Sequence, residues 1–287
     1  MEEHGMKNHK TYIIIMCSAL SLLTFASCVK DEVYNTPHPD KGAVSIHVNL
    51  PQGMGDYTVE IDGQSVQGSG ATFVYPTLLS PGEHNLLMYN HPDGLTIADG
   101  IARVNATATA KSNGNTILPM PGCLYSVSTT YTVMADDTVR IELAPLRRMR
   151  DLHFELTVTE GDPERIASVE GVLSGIAGTY TLATESPGGE PMTTSPTFTR
   201  DGNRVTADAR LLGTAGEAQK LVLTLHFTDG KVQTIKNDLT EMLKTFNTDM
   251  HTPLKISGSL LMPTAANPGT ATITDWQVQE VVDIIIK

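Results

Sequence analysis

Leu221-Val222-Leu223-Thr224-Leu225-His226-Phe227-Thr228-Asp229-Gly230-Lys231-Val232-Gln233-Thr234-Ile235 spells out a β-hairpin in its residue types. Leu221, Leu223, Leu225 and Phe227 recur at every second position, Asp229-Gly230 is a dipeptide suited to a tight reversal, and Lys231 to Ile235 returns. Successive side chains of a strand point to opposite faces, so a period of two puts these large apolar residues on one buried face. The same period runs through most of the chain. Val44, Ile46, Val48 and Leu50 alternate with Ala43, Ser45, His47 and Asn49, and Tyr57, Val59 and Ile61 lead into a turn at Asp62-Gly63. Thr72 to Tyr75, Asn85 to Tyr89, Tyr125 to Val133 and Thr138 to Leu143 complete a first set. Leu152, Phe154, Leu156 and Val158, then Tyr180 to Thr184 and Val205 to Leu211, join the hairpin in a second. The pattern predicts an all-β protein built as two tandem Greek-key β-sandwich domains with at most one or two short helices.

The break between the sets falls at Ala144-Pro145-Leu146-Arg147-Arg148-Met149-Arg150, where Pro145 interrupts a strand and three Arg cluster. This reads as a basic interdomain linker, with an N-terminal sandwich over residues 43–145 and a C-terminal one over 146–287. One helix is expected, opened by a capping box of Asp238 and Glu241, with Leu239, Met242, Leu243 and Phe246 on one face. Ser186-Pro187-Gly188-Gly189-Glu190-Pro191 reads as turns. His-Pro-Asp occurs at 38–40 and 91–93, each followed by a Gly (Gly42, Gly94), and both fall between strands as turns.

The first 27 residues read as a targeting signal. Lys7 and Lys10 precede an apolar run from Tyr12 to Phe25 of roughly 14 residues. A membrane-spanning helix needs about 20. Small residues then lead to Ser27-Cys28, the layout of a lipoprotein signal, so cleavage between Ser27 and Cys28 and acylation of Cys28 are expected. Glu2 and Glu3 are unusual ahead of a basic pair, and Met6 would start a cleaner signal. Phe25 also stands where such signals usually carry an aliphatic residue, and the other reading is an ordinary secretory signal with an incidental Cys. Lys30, Asp31 and Glu32 directly after the Cys resemble the surface-export signal of Bacteroidota lipoproteins; alternatively they solvate a tether beside lipid headgroups. Residues 28–42 are thus expected to form a lipidated tether, with the protein held in the outer membrane by acyl chains and facing the cell surface.

Removing the first 27 of the 287 residues leaves 260, room for two ordinary domains. The removed part carries two Lys and two Glu, so the formal net charge stays at −12, which disfavours nucleic acid and anionic lipid surfaces as partners. Of three Cys, Cys17 leaves with the signal and Cys28 is acylated, so Cys123 lacks a disulfide partner and is expected to be a buried small hydrophobe. No Gly-x-Ser-x-Gly, Cys-x-x-Cys, His-Glu-x-x-His or phosphate loop occurs, so neither catalysis nor a cofactor or metal is expected. Asp201-x-Asn203 near Asp208 offers oxygen ligands without the spacing of a calcium loop. Asp137-Thr138-Val139 resembles an O-glycosylation acceptor of Bacteroidota but reads more readily as the start of a strand. One Trp and 5% aromatics leave little for a sugar-stacking platform, which makes capture of a glycan or other ligand the alternative function.

The chain closes on Ala271-Thr-Ile-Thr-Asp-Trp276-Gln-Val278-Gln-Glu280-Val-Val282-Asp-Ile284-Ile-Ile286-Lys287. Trp276, Val278, Val282, Ile284 and Ile286 share one parity, with Glu280 the exception. A β-branched run left bare at a sheet edge aggregates, so something must cover it. It is either the last core strand of its own sandwich or a strand donated into a neighbouring subunit.

Several stretches together resemble the fimbrillin-type lipoproteins of Bacteroidales, and among them the anchoring or minor fimbrial subunits. These are the acyl-Cys, Tyr34-Asn35-Thr36-Pro37-His38-Pro39 ahead of a strand, the approach from Arg147 to Val158, Val172-Leu173-Ser174-Gly175-Ile176-Ala177, and Ile273-Thr274-Asp275-Trp276. The resemblance implies two transthyretin-like β-sandwiches, fimbrial subunits as partners, and a role in attaching or regulating a surface fimbria. It also implies that stalk subunits lose their first strand to an Arg-directed protease and that a C-terminal strand of the adjoining subunit fills the gap. This chain departs from that pattern, because no Arg occurs between Cys28 and Arg103. An anchor that keeps its lipidated first strand is the expectation.

Overall fold

The computed structural model describes residues 40–107, 116–264 and 269–281. The first strands are β1 (Ala43–Val48), β2 (Tyr57–Ile61), β3 (Gln64–Gly68), β4 (Thr72–Val74) and β5 (Gly82–Asn90). Three short ones follow, β6 (Leu95–Ala98), β7 (Ile101–Val104) and β8 (Thr116–Ile117), then β9 (Tyr125–Val133), β10 (Thr138–Leu143) and β11 (Leu146–Arg147). The remainder comprises β12 (Arg150–Glu160), β13 (Ile166–Thr181), β14 (Ser186–Thr194), β15 (Thr199–Asp201), β16 (Arg204–Leu211), β17 (Lys220–Phe227), β18 (Val232–Asp238), a one-turn helix α1 (Thr240–Leu243), β19 (Leu254–Leu261) and β20 (Thr272–Glu280).

These strands sort into two sandwiches with separate cores. A three-stranded sheet in the order β10-β1-β4 packs on a five-stranded sheet in the order β11-β9-β5-β2-β3. Their common core holds Val44, Ile46 and Val48 against Tyr57, Val59, Ile61, Leu86 and Met88. The second sandwich sets β15-β16-β12-β19-β20 on a larger sheet whose main path is β18-β17-β13-β14-β8. Phe154, Leu156 and Ile256 there meet Leu173, Leu221, Leu223 and Leu225. The all-β fold follows from the period-two pattern, since each apolar row finds a facing row to bury it.

The two Asp-Gly turns are built differently. Asp62 and Gly63 both have positive φ (48° and 80°), and Ile61 pairs with Gln64, so this is a two-residue turn of the I′ kind whose twist matches the flanking strands. At the second, the Gly230 N–H donates to Phe227 O and the Phe227 N–H to Lys231 O, and Gly230 alone takes φ 80°. That is a three-residue loop with a glycine bulge.

Three expectations are corrected. Residues 186–191 are not turns: they belong to β14, antiparallel to β13. Strand β8 reaches only Thr193 and Thr194, so Pro187 and Pro191 lie where the outer edge of β14 has no partner among the described strands, and a missing N–H costs least there. The expected helix is a single turn. Asp238 Oδ1 accepts from the Thr240 N–H at 2.9 Å, but Glu241 does not return the bond and instead pairs with Lys244 at 2.8 Å. Leu239, Leu243 and Phe246 are nevertheless fully buried, so the apolar face forms without the length.

The third correction concerns Arg147, Arg148 and Arg150, which are not a solvated linker. Arg148 and Arg150 are buried, and Arg150 is 0% exposed. Arg150 donates from Nε to Thr252 O at 2.6 Å and from Nη1 to Phe246 O at 3.2 Å, and its Nη2 meets Glu280 Oε1 at 3.0 Å. Its guanidinium also lies 5.4 Å from the Phe246 ring. Arg148 bonds Ser126 of β9 through Nε at 2.9 Å and pairs with Glu185, beyond β13, so it bridges the sandwiches. Asp151, itself buried, takes Arg147 at 2.6 Å and Arg210 at 2.7 Å. A buried cation is tolerable only when its donors are answered; carbonyls, a hydroxyl and carboxylates answer Arg148 and Arg150, while Arg147 is held by its charge beside Asp151 with its buried Nε unbonded.

The segment 95–117, within the range expected for the first sandwich, sends its strands to the second. Arg103 of β7 pairs with Thr179 of β13, and Thr116 of β8 with Thr193 of β14. The cause is the length of β13, 16 residues against the 8 of its partner β17, which leaves a bare end for β7 to cover.

Two stability series follow. Gly175, in the β13 bulge with φ 78°, would place a Cβ 2.1 Å from Ala218 O, whereas Gly230 has nothing within 4 Å. Urea titration of Gly175→Ala is expected to show a loss of about 3 kcal/mol, the left-handed penalty plus a displaced carbonyl, against about 1 kcal/mol for Gly230→Ala. Arg150→Met leaves buried carbonyls without a donor and is expected to cost about 3 kcal/mol in the same assay. Glu280→Gln, at a side chain that is more than half exposed, is expected to cost less than about 1 kcal/mol.

Candidate functional site

The strand next to the expected tether is the interior strand of the smallest sheet. β1 pairs in parallel with β10 over six residues, from Ala43↔Thr138 to Val48↔Leu143, and antiparallel with β4 from Ser45↔Val74 to His47↔Thr72. Both of its edges are therefore engaged. Val44, Ile46 and Val48 point inward with essentially no exposure, and each such side chain stabilises by about 1.5–3 kcal/mol through burial.

The approach to β1 is closed as well. The Gly42 N–H donates to Leu79 O at 2.8 Å and the Leu79 N–H returns to Gly42 O at 2.9 Å. The Ala43 N–H donates to Asp137 O and the Asp136 N–H to Lys41 O, at 2.9 and 2.8 Å. Glycine is required at 42 because a Cβ there would stand 2.4 Å from Met134 O. Beside this collar lies His84, nearly buried, with Nδ1 2.6 Å from Asp62 Oδ2 and Nε2 2.8 Å from Ser80 O. The Asn85 N–H donates to the other Asp62 oxygen at 3.0 Å, and this bond, ahead of His84, holds the Asp62 carboxyl below the usual range.

Among the described strands, β20 is the edge of its sheet. It runs antiparallel to β19, with Val278↔Ile256 and Glu280↔Leu254. A bulge at Asp275 (φ 53°) interrupts the register, and Gly258 opposite makes room for Trp276, whose Cε3 would lie 3.2 Å from a Cβ there. Ile273 is buried and Trp276 partly so, but Val278 is 40% exposed. Glu280, the odd member of the apolar row, is answered by the Arg150 guanidinium, and the Val281 N–H donates to Pro253 O.

Of the residues singled out in the sequence, Val278 stands in β20, while Ser27, Cys28, Lys30, Asp31, Glu32, Val282, Ile284 and Ile286 lie outside the described residues. Cys123 is a free thiol, half-buried and not fully so. Thr138 opens β10, with its N–H donating to Asp137 Oδ1. Asp208 accepts from His153 at 2.7 Å. Among the described residues no group of His, Cys, Asp or Glu is placed to hold a metal ion, and no helix is long and apolar enough to cross a membrane. Reading the sequence took Gly42 as the glycine of a turn and Arg150 as part of a linker, and did not single out His84. Only Arg150 left a trace, as a cation one residue after Met149 and two before Leu152 with no Gly or Ser to mark a linker.

The model for the fimbrillin-A associated anchor proteins Mfa1 and Mfa2 matches residues 55–282. No curated protein sequence matches the chain. Among solved structures, the fimbrial anchor protein Mfa2 from Porphyromonas gingivalis is similar, with a TM-score of 0.59 and 12% identity, over 84% of this chain and 98% of that one. A candidate adhesin from Bacteroides ovatus gives 0.57 and 17% over 71% and 84%, and a candidate polysaccharide-binding protein from Bacteroides thetaiotaomicron gives 0.53 and 11% over 84% and 98%. At such identities the structures speak to fold. The family match, which takes in most of both sandwiches, means that this chain belongs to the fimbrillin-A associated anchor protein family.

Proposed function

We propose that this protein is the lipid-anchored, non-catalytic base of a cell-surface fimbria. Acyl chains on Cys28 hold it in the outer membrane, residues 28–42 form the tether, and other fimbrial subunits engage the fold. The observation that carries this reading is the position of β1, bonded on both edges and reached through the Gly42 collar. A pull on the tether acts along β1, so its backbone bonds and its three buried side chains resist together.

Two further facts support retention of β1. The first Arg after Cys28 is Arg103, and it lies within β7, paired to β13. The next, Arg140, lies within β10, paired to Ser45 of β1, and in the cluster at 147–150 Arg148 and Arg150 are buried. A glycan-capturing surface is less supported, because Tyr57, Tyr75, Tyr89 and Tyr180 are buried in cores and Trp276 packs at the β20 edge.

For engagement of other subunits, we propose the C-terminal segment from Val278 onward, with Val282, Ile284 and Ile286 as the apolar row of a strand offered to a neighbour.

Cys28→Ala is expected to move the protein from the membrane fraction to the soluble one and to abolish palmitate labelling; retention with label overturns the tether. Deleting residues 282–287 leaves every β20 pairing in place, so the product is expected to keep its stability within about 0.5 kcal/mol and to stop co-purifying with fimbrial subunits. Unfolding of that product would instead make the segment part of its own core.

A further inference from the structure

His84 sits in a cage that suits only one of its charge states. Its Nδ1 faces the Asp62 carboxylate and its Nε2 faces the Ser80 carbonyl, both acceptors without a proton to give. The imidazolium satisfies both contacts, because both ring nitrogens are then donors. The neutral ring keeps one N–H and turns a lone pair toward the other oxygen at under 3 Å. Ser80 is the residue after Leu79, and Leu79 makes the two backbone bonds that close Gly42 at the approach to β1. One peptide link thus separates the His84 cage from the collar on the tether strand.

We propose that His84 is a proton-operated clasp on β1: the imidazolium holds Ser80 toward Asp62, and its deprotonation loosens the Leu79–Gly42 pairing that closes the approach from the tether. The clasp rests on the reading of β1 as the strand that carries the tether.

The groups facing His84 support this assignment. From the β2–β3 turn comes Asp62, which is 45% exposed and carries charge at neutral pH. From β9 comes Tyr131, opposite His84 in register, with its ring centroid 5.9 Å away. Burial, then the Asp62 charge, push its hydroxyl up, and Tyr75 beyond it is raised by the same two causes, so both stay neutral. On β5 itself Glu83 is exposed and of opposite parity. Burial alone would lower the His84 pKa; the Ser80 carbonyl and the Asp62 carboxylate outweigh it, and the net direction is upward. A histidine raised on folding contributes stability that is complete below its unfolded pKa of about 6.5 and lost as pH rises through the folded value. The clasp is therefore closed in mild acid and opens toward alkaline pH.

The test follows the His84 ring resonance and the amide exchange of Gly42, Leu79 and, as a reference, Val59, by NMR of the full chain in detergent micelles from about pH 6 to about pH 9. After correction for hydroxide catalysis, exchange at Gly42 and Leu79 is expected to rise about tenfold on the His84 titration curve while Val59 stays level. His84→Gln and Asp62→Asn are expected to abolish that step. The proposal is overturned if His84 titrates at or below its ordinary value, if Gly42 and Leu79 show no step, or if the step survives in His84→Gln. The wild-type titration decides the matter even where a variant does not fold. Membrane release of Cys28→Ala bears on the tether alone and leaves this measurement unaffected, so the two readings fail separately.

Discussion

A three-stranded sheet has one interior strand, and here it is the first of the described strands. Both edges of β1 are hydrogen-bonded, its inner face supplies Val44, Ile46 and Val48 to the first core, and among the described strands its outer neighbours β10 and β4 have no other to join them. Without β1 the sheet is two separate edges, one of three residues, facing Tyr57, Val59 and Met88 with nothing between. The first sandwich thus depends on the same segment that leads to Cys28. In the proposed role this is what turns a lipid tether into a mechanical support, since detaching the chain from the tether would require dismantling the core.

The second dependence is the charged joint. Arg148 ties β9 to the Glu185 turn, Asp151 gathers Arg147 and Arg210, and Arg150 reaches the 245–252 connection and β20. Such pairs contribute little net stability when compared with an apolar filling, because each charge first loses its water. They do impose geometry, because a guanidinium offers donors in a fixed plane and a mismatched acceptor is costly. At a junction where two cores meet, that directional demand fixes how one sandwich is set on the other, which apolar contact alone would leave loose.

What was legible in the sequence divides along the same physical line. The hairpin at 221–235, β9 and β10 were readable because period two and a turn dipeptide are local signals, decided by residues a few positions apart. Strand β14 was not, since Pro and Gly ordinarily mark turns and they are harmless where its outer edge has no partner among the described strands. The β6–β7 hairpin was invisible because its place depends on the surplus length of β13, a property of another element. Arg150 was misread for a related reason: a cluster of cations looks solvated until the carbonyls of Thr252 and Phe246, about a hundred residues away, are brought to it. His84 and its two acceptors are likewise assembled by tertiary structure, and no spacing announces them. Glu280 is the instructive case, flagged in the sequence as a charge on an apolar row and explained only by the cation it meets.

That pairing also bears on how the C-terminal segment could serve another subunit. Arg150 holds Glu280, and the Val281 N–H is bound to Pro253 O, so the chain beyond Val281 starts from a point fixed to the core of the second sandwich. A strand offered from a long free leash loses much of its capture efficiency to the volume it explores, whereas one leaving a rigid base keeps a high effective concentration near its target. The exposed Val278 at the outer edge of β20 extends the same argument. A partner strand that pairs along β20 would cover Val278 without disturbing Ile273 or Trp276, because those already face their own core. Firm hold at Glu280 and an open edge beside it are compatible demands, and together they favour engagement by adding backbone pairs over exchange of a strand already in place.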